Sequence, residues 1–169
     1  MKMKQRYKID SFFMVWRIAA GCLTGLVILI ALLKIIPVFF GYQSFVVLSG
    51  SMEPTLPIGS VVYIDSHNKL PDVGDIAAYQ VSESVRVTHR IVDVAEDGYI
   101  FQGDANSAPD FNTVSRQQII GAYAFHIPIL GYILSVFHGW MAVVTLIVLI
   151  VINIIPDVWI AYNKNRERN

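Results

Sequence analysis

Two long apolar blocks bracket a stretch in which the hydrophobic period shortens to two. Residues 18–36 are almost wholly apolar, with Lys34 the one charge and Pro37 directly after it. At about 20 residues this block is long enough to cross a hydrocarbon core of roughly 30 Å, and Lys34 can snorkel to the headgroups from the block's far end. Pro37 to Tyr42 is bulky and aromatic, suited to a membrane interface. The second block, residues 140–155, closes on Asn153, Pro156 and Asp157. It is short for a span alone and adequate when extended to Ile160 or back to Ile133.

Between the blocks, short β-branched and aromatic runs alternate with turn signals. Residues 60–64 are bounded by Pro57 and Gly59 on one side and by Asp65, Ser66, His67 and Asn68 on the other. Residues 75–81 follow Pro71-Asp72-Val73-Gly74, and further runs occupy 85–94, 99–102 and 118–125. Strands this closely spaced predict a mostly β fold: an antiparallel β domain flanked by two transmembrane α-helices. The expected organisation is a basic N-terminus over 1–17, helices over 18–40 and 133–160, the β domain over 41–132 and a basic tail over 161–169.

Composition sharpens this division. Of the 169 residues 54% are hydrophobic and only 15% charged, against roughly 25% charged in soluble domains. A basic start followed by an apolar run also fits a cleavable signal peptide. The run exceeds a usual signal core, and no small-x-small site follows it, so an uncleaved anchor is expected. Lys2, Lys4, Arg6, Lys8 and Arg17 precede the first block, and Lys164, Arg166 and Arg168 follow the second. Between them stand Lys69, Arg86, Arg90 and Arg116 against ten acidic residues. The positive-inside rule then puts both termini in the cytoplasm of a two-pass cell-membrane protein, with the β domain outside. A net charge of zero implies no nucleic-acid partner. Cys22 is the one cysteine and cannot form an intramolecular disulfide; no zinc-ligand spacing occurs, and neither metal nor cofactor is expected.

Three stretches carry candidate chemistry. Phe45-Val46-Val47-Leu48 runs into Ser49-Gly50-Ser51-Met52-Glu53-Pro54, where a serine beside glycine in a turn can stand exposed with donor N–H groups close by. On a strand, His89 shares a face with Val85, Val87 and Ile91. An imidazole on such a face is either a satisfied core group or a shielded base able to take a serine proton near pH 7. Gly103-Asp104-Ala105-Asn106-Ser107-Ala108-Pro109-Asp110 reads as an Asx-rich turn, and either aspartate can orient the imidazole. His67 sits in a polar turn, while His126 and His138 flank Pro128 and Gly131 in an interfacial setting. Glu53 is assigned to the turn, and Arg90, on the opposite strand face from His89, to an ion pair.

In this order and spacing, Ser49-Gly50-Ser51-Met52-Glu53-Pro54, Thr88-His89-Arg90 and Gly103-Asp104-Ala105-Asn106 resemble the three boxes of type I signal peptidases. The likeness is to the endoplasmic-reticulum kind, found also in archaea and some Gram-positive bacteria, in which histidine replaces a lysine base. It covers roughly residues 42–134. The resemblance implies a membrane-bound serine endopeptidase that cleaves signal peptides from exported preproteins, with the lipid bilayer as its setting and any partners in the secretion machinery unidentified. Ser51 would be the nucleophile and His89 the general base. Asp110 or Asp104 would complete the set, with Asp110 favoured as the imidazole's partner. The Ser51 N–H and the Ser49 hydroxyl, beside Gly50, would meet the oxyanion. Residues 45–48 would pair with an extended substrate. Ala105 departs from the family's frequent asparagine. Other readings are an inactive relative serving as a membrane-anchored binding or assembly module, and a related peptidase acting on itself or on a regulator.

Overall fold

The computed structural model describes residues 2–136 and 140–166. His138, Met1 and residues 167–169 of the basic tail lie outside the described residues. The chain divides into two compact units, Lys34–Val136 and a helical unit formed by residues before 34 and after 136.

The first unit is a curled seven-stranded sheet in which every neighbouring pair is antiparallel. Its strands are β1 (Tyr42–Val46), β2 (Val61–Asp65), β3 (Ile76–Gln80), β4 (Arg86–Ala95), β5 (Gly98–Gln102), β6 (Val114–Ser115) and β7 (Ile119–Ile127). They lie in the order β1-β2-β7-β3-β4-β5-β6, so β1 is an edge strand. The mostly β fold of the sequence reading is what forms here.

Burial explains why the strands were legible. Four consecutive residues are buried in each of β2 and β3, which therefore carry near-continuous apolar runs. The two faces of β3 feed separate cores. Ala77 and Tyr79 join Ile91, Tyr99, Phe101, Val114 and Ile119. Ile76 and Ala78 join Met52, Leu56, Val62 and Ile64. Bulges at Tyr63/Ile64, Ala78/Tyr79 and Ile91/Asp93 shift the register and bend the strands into the curl.

Two local readings change. Tyr42, grouped with the interfacial aromatics, instead opens β1 and pairs with Asp65. Gly41, at φ +80, makes the turn from the preceding helix, a conformation that glycine adopts without strain. Val85 lies outside β4 and is exposed, so the inward face holds Val87, His89 and Ile91 without it.

Helix α1 spans Lys2–Phe39 and runs through Pro37. After the sheet come α2 (Leu130–Val136) and α3 (Trp140–Arg166), the latter containing Pro156. Within α1 and α3, Ser11–Phe39 and Val143–Tyr162 are long and apolar enough to cross a membrane. In the helical unit α1 and α3 meet through a few polar contacts. Trp16 Nε1 donates to the Ile152 carbonyl at 3.0 Å, Asn153 Nδ2 donates to Thr24 Oγ1 at 3.0 Å, and Arg17 lies 3.3 Å from Asp157. Ala20 and Leu149 are buried in this unit, and the small side chain of Ala20 is of the kind that lets apolar helices approach.

Candidate active site

The turn after β1 is anchored from inside. Met52 and Leu56 are buried in the core with Val62 and Ile64, and the Leu56 N–H donates to the Met52 carbonyl at 2.9 Å. Those anchors leave Ser49 and Ser51 facing outward, their Oγ atoms 3.3 Å apart. Gly103 fits against this turn: a Cβ at that position would stand 2.5 Å from the Ser51 carbonyl oxygen. The Ala105 N–H donates to the same carbonyl at 2.9 Å. The serine and aspartate stretches are thus joined through their backbones.

His89 is 8% exposed on β4, opposite Ala77 of β3. Its Nε2 lies 2.9 Å from Ser51 Oγ, and its Nδ1 lies 2.7 Å from Asp110 Oδ2. A carboxylate on Nδ1 holds the proton there and leaves the Nε2 lone pair for the hydroxyl. Asp110 reaches this place because its N–H donates to the Phe101 carbonyl at 2.7 Å, drawing the end of the loop under β5.

Asp104 takes other partners. Arg90 donates to it from Nε at 2.9 Å and from Nη2 at 2.7 Å, and Thr55 Oγ1 also donates to it. The Arg90 fork holds the Asp104 carboxyl below the usual carboxylate range, and the same bond raises Arg90. Arg90 makes the ion pair expected of it, and its Nη1 also donates to the Gly74 carbonyl at 2.8 Å.

Sequence reasoning missed Tyr79. Its hydroxyl donates at 2.7 Å to Asp110 Oδ2, the oxygen that also faces His89. Burial, and then the bond to Asp110, push the phenol well above its ordinary value. Alternation along 75–81 could have put Tyr79 on a face with Ala77; the register that sets that face beside His89 belongs to the folded sheet.

A cavity of about 390 Å³ adjoins Ser51 and His89. Phe45, Val46, Val47 and Leu48 line it from the first stretch, as does Arg86 of β4, which sequence reasoning also passed over. The Arg86 guanidinium lies over the Phe45 ring, 5.4 Å from its centre. Val47 exchanges backbone bonds with residues 59 and 60, which extends the β1 edge toward Leu48.

The other histidines are elsewhere. His67 is exposed beside Asp65, and His126 Nδ1 lies 2.9 Å from the Tyr123 hydroxyl. Glu53 donates its N–H to the Gly50 carbonyl within the turn. Among the described residues, no group of three or more His, Cys, Asp or Glu side chains stands ready to hold a metal ion. A hydroxyl bonded to an imidazole that is backed by a carboxylate can be deprotonated as it attacks an acyl carbon.

No family model matches the chain. Curated proteins do. It is 34% identical over 99 residues to signal peptidase I W of Bacillus subtilis, covering 54% of this chain and 52% of the relative. It is 34% identical over 117 residues to the signal peptidase complex catalytic subunit SEC11 of Verticillium alfalfae, covering 60% of this chain and 68% of the relative. SEC11 of Eremothecium gossypii is 32% identical over 102 residues, with 52% and 61% covered. The chain thus spans from about half to two thirds of the length of these relatives.

Proposed function

The chain belongs to the family of signal peptidase I and SEC11 catalytic subunits, and from that premise we propose that it is a membrane-bound serine endopeptidase that removes signal peptides from exported preproteins. The observation that carries this reading is the continuous line Ser51 Oγ, His89 Nε2, His89 Nδ1, Asp110 Oδ2, at 2.9 and 2.7 Å.

Ser51 Oγ attacks the scissile carbonyl carbon while His89 Nε2 takes its proton. Asp110 keeps the ring in the tautomer that can accept that proton and offsets the charge that forms. The oxyanion is met by the Ser51 N–H and by the Ser49 hydroxyl, which stands beside the nucleophile. Collapse expels the new N-terminus of the mature protein, which takes its proton from His89. Water then hydrolyses the acyl-enzyme with His89 as base.

The substrate lies extended along residues 45–48 and adds a strand to the free edge of β1. Asp104 belongs to the frame rather than to proton transfer, because Arg90 and Thr55 occupy it. The two apolar helical segments cross the membrane, both termini are cytoplasmic and the β domain is outside, in accord with the excess of Lys and Arg before the first segment.

Purified full-length protein in detergent, incubated with a preprotein that carries a cleavable signal peptide, should give two products by mass spectrometry, divided at one bond after the apolar core. Cuts scattered through the substrate, or inside its mature part alone, would overturn the assignment.

A further inference from the structure

The carboxylate behind His89 serves two donors. Asp110 Oδ2 lies 2.7 Å from His89 Nδ1 and 2.7 Å from the Tyr79 hydroxyl. We propose that Tyr79 is a positioning residue of the catalytic relay: its phenol holds the Asp110 carboxylate aimed at His89 Nδ1.

Sheet register brings the groups together. Ala77 of β3 stands opposite His89 of β4, so both side chains leave the same face. Tyr79, two residues along β3, shares that face and reaches the imidazole's carboxylate on the diagonal. The phenol ring is fixed from behind: Tyr79 is 4% exposed, within the core of Ile91, Phe101 and Ile119, and its ring centre lies 4.5 Å from that of Phe101. A hydroxyl on so constrained a ring has little freedom to turn away. The Asp110 side chain, by contrast, is 19% exposed and sits at the end of a loop whose residues 104–109 are exposed. Without a second donor the carboxylate can rotate about χ1 and χ2 and exchange His89 for water. With the phenol donating, Oδ2 is held where the imidazole needs it.

The charge balance has a sign. Held by the phenol, the Asp110 carboxylate offsets the charge of imidazolium at Nδ1. Freed by removal of the phenol it does so less, so the protonated ring is disfavoured and the acid limb of activity moves to lower pH. The other groups around His89 remain: Ser51 from the turn after β1, Arg86 from its own strand, and Asp104, held by Arg90. None of these bonds to the Tyr79 hydroxyl, so a change on its removal is assigned to Asp110.

Tyr79→Phe keeps the ring and deletes the donor. For its kinetic arm the inference rests on the peptidase reading, so two readouts are paired. In cleavage of a model preprotein, kcat should fall on the order of tenfold with KM unchanged, less than the ~10²–10⁴ that a general base supplies, and the acid limb should move down. In the inactive Ser51→Ala background, NMR titration of the His89 ring with and without Tyr79→Phe should show the same downward move. A wild-type protein that cuts nothing, together with a shifted ring titration, would remove the peptidase function and leave the Tyr79 role standing. An unchanged ring titration overturns the role, and so does a lower kcat accompanied only by a lower melting temperature.

Discussion

Asp104 and Asp110 stand six residues apart in one loop, and the partners each finds divide their tasks. Asp110→Asn keeps the shape of the side chain but can present an N–H to Nδ1, which favours the wrong tautomer. Cleavage should drop by about 10³–10⁴-fold while the fold persists. Asp104→Asn should act mainly on stability. Its folded carboxyl is held below the ordinary ~3.9 by Arg90, so the contribution is present above that value and is lost as pH falls through the lowered one. Urea titrations below about pH 4 should therefore show wild-type stability falling toward that of Asp104→Asn, with the gap restored at neutral pH. A gap that is constant with pH would contradict the ion-pair account. From the sequence the two aspartates were alternatives, since an Asx-rich turn suits both. What separates them is the Phe101 carbonyl that draws Asp110 inward and the Arg90 fork that takes Asp104, and neither follows from chain order.

Elements place these residues by close contact of backbones. The turn carrying Ser51 and the loop carrying Asp104 touch where Gly103 stands, with no room for a side chain. Gly103→Ala should push the Ser51 turn away from His89. A displacement near 1 Å can cost about 10²-fold in rate, so activity should fall far more than the melting temperature does. Equal losses in both would mean that Gly103 serves only folding. The long strands were readable because two-sided burial in β2 and β3 leaves unbroken apolar runs bounded by turn residues. β6 has two residues and too little pattern to register, and the start of β1 was hidden by aromatics that suit an interface equally well. Tyr79 was hidden for a different reason. Its residue type fits a buried strand, and its partner lies 31 residues away across a register that only the folded sheet fixes.

For the whole molecule, the membrane assignment joins composition to function. Two helical segments have the length and apolar character to span, and the Lys and Arg residues outside them support the proposed orientation. On the proposed topology, a tag at either end should be digested only after the membrane is opened to protease added from outside. A tag inserted in the exposed turn near Glu83 should be accessible in intact cells. The reverse pattern would invert the topology and separate the site from exported substrates. His89 and the serine box stood out in the sequence because chemistry constrains residue type and order. Their union into one hydrogen-bonded line is a property of the folded sheet.

The most direct test of the central claim is the rate of preprotein cleavage by wild type, Ser51→Ala and His89→Ala, each purified in detergent and verified as folded by circular dichroism. Each substitution is expected to lower the rate by at least ~10⁴-fold, because the proposed nucleophile and the proposed base have no substitute in the relay. A folded Ser51→Ala or His89→Ala protein that still cleaves at the wild-type rate would contradict the account.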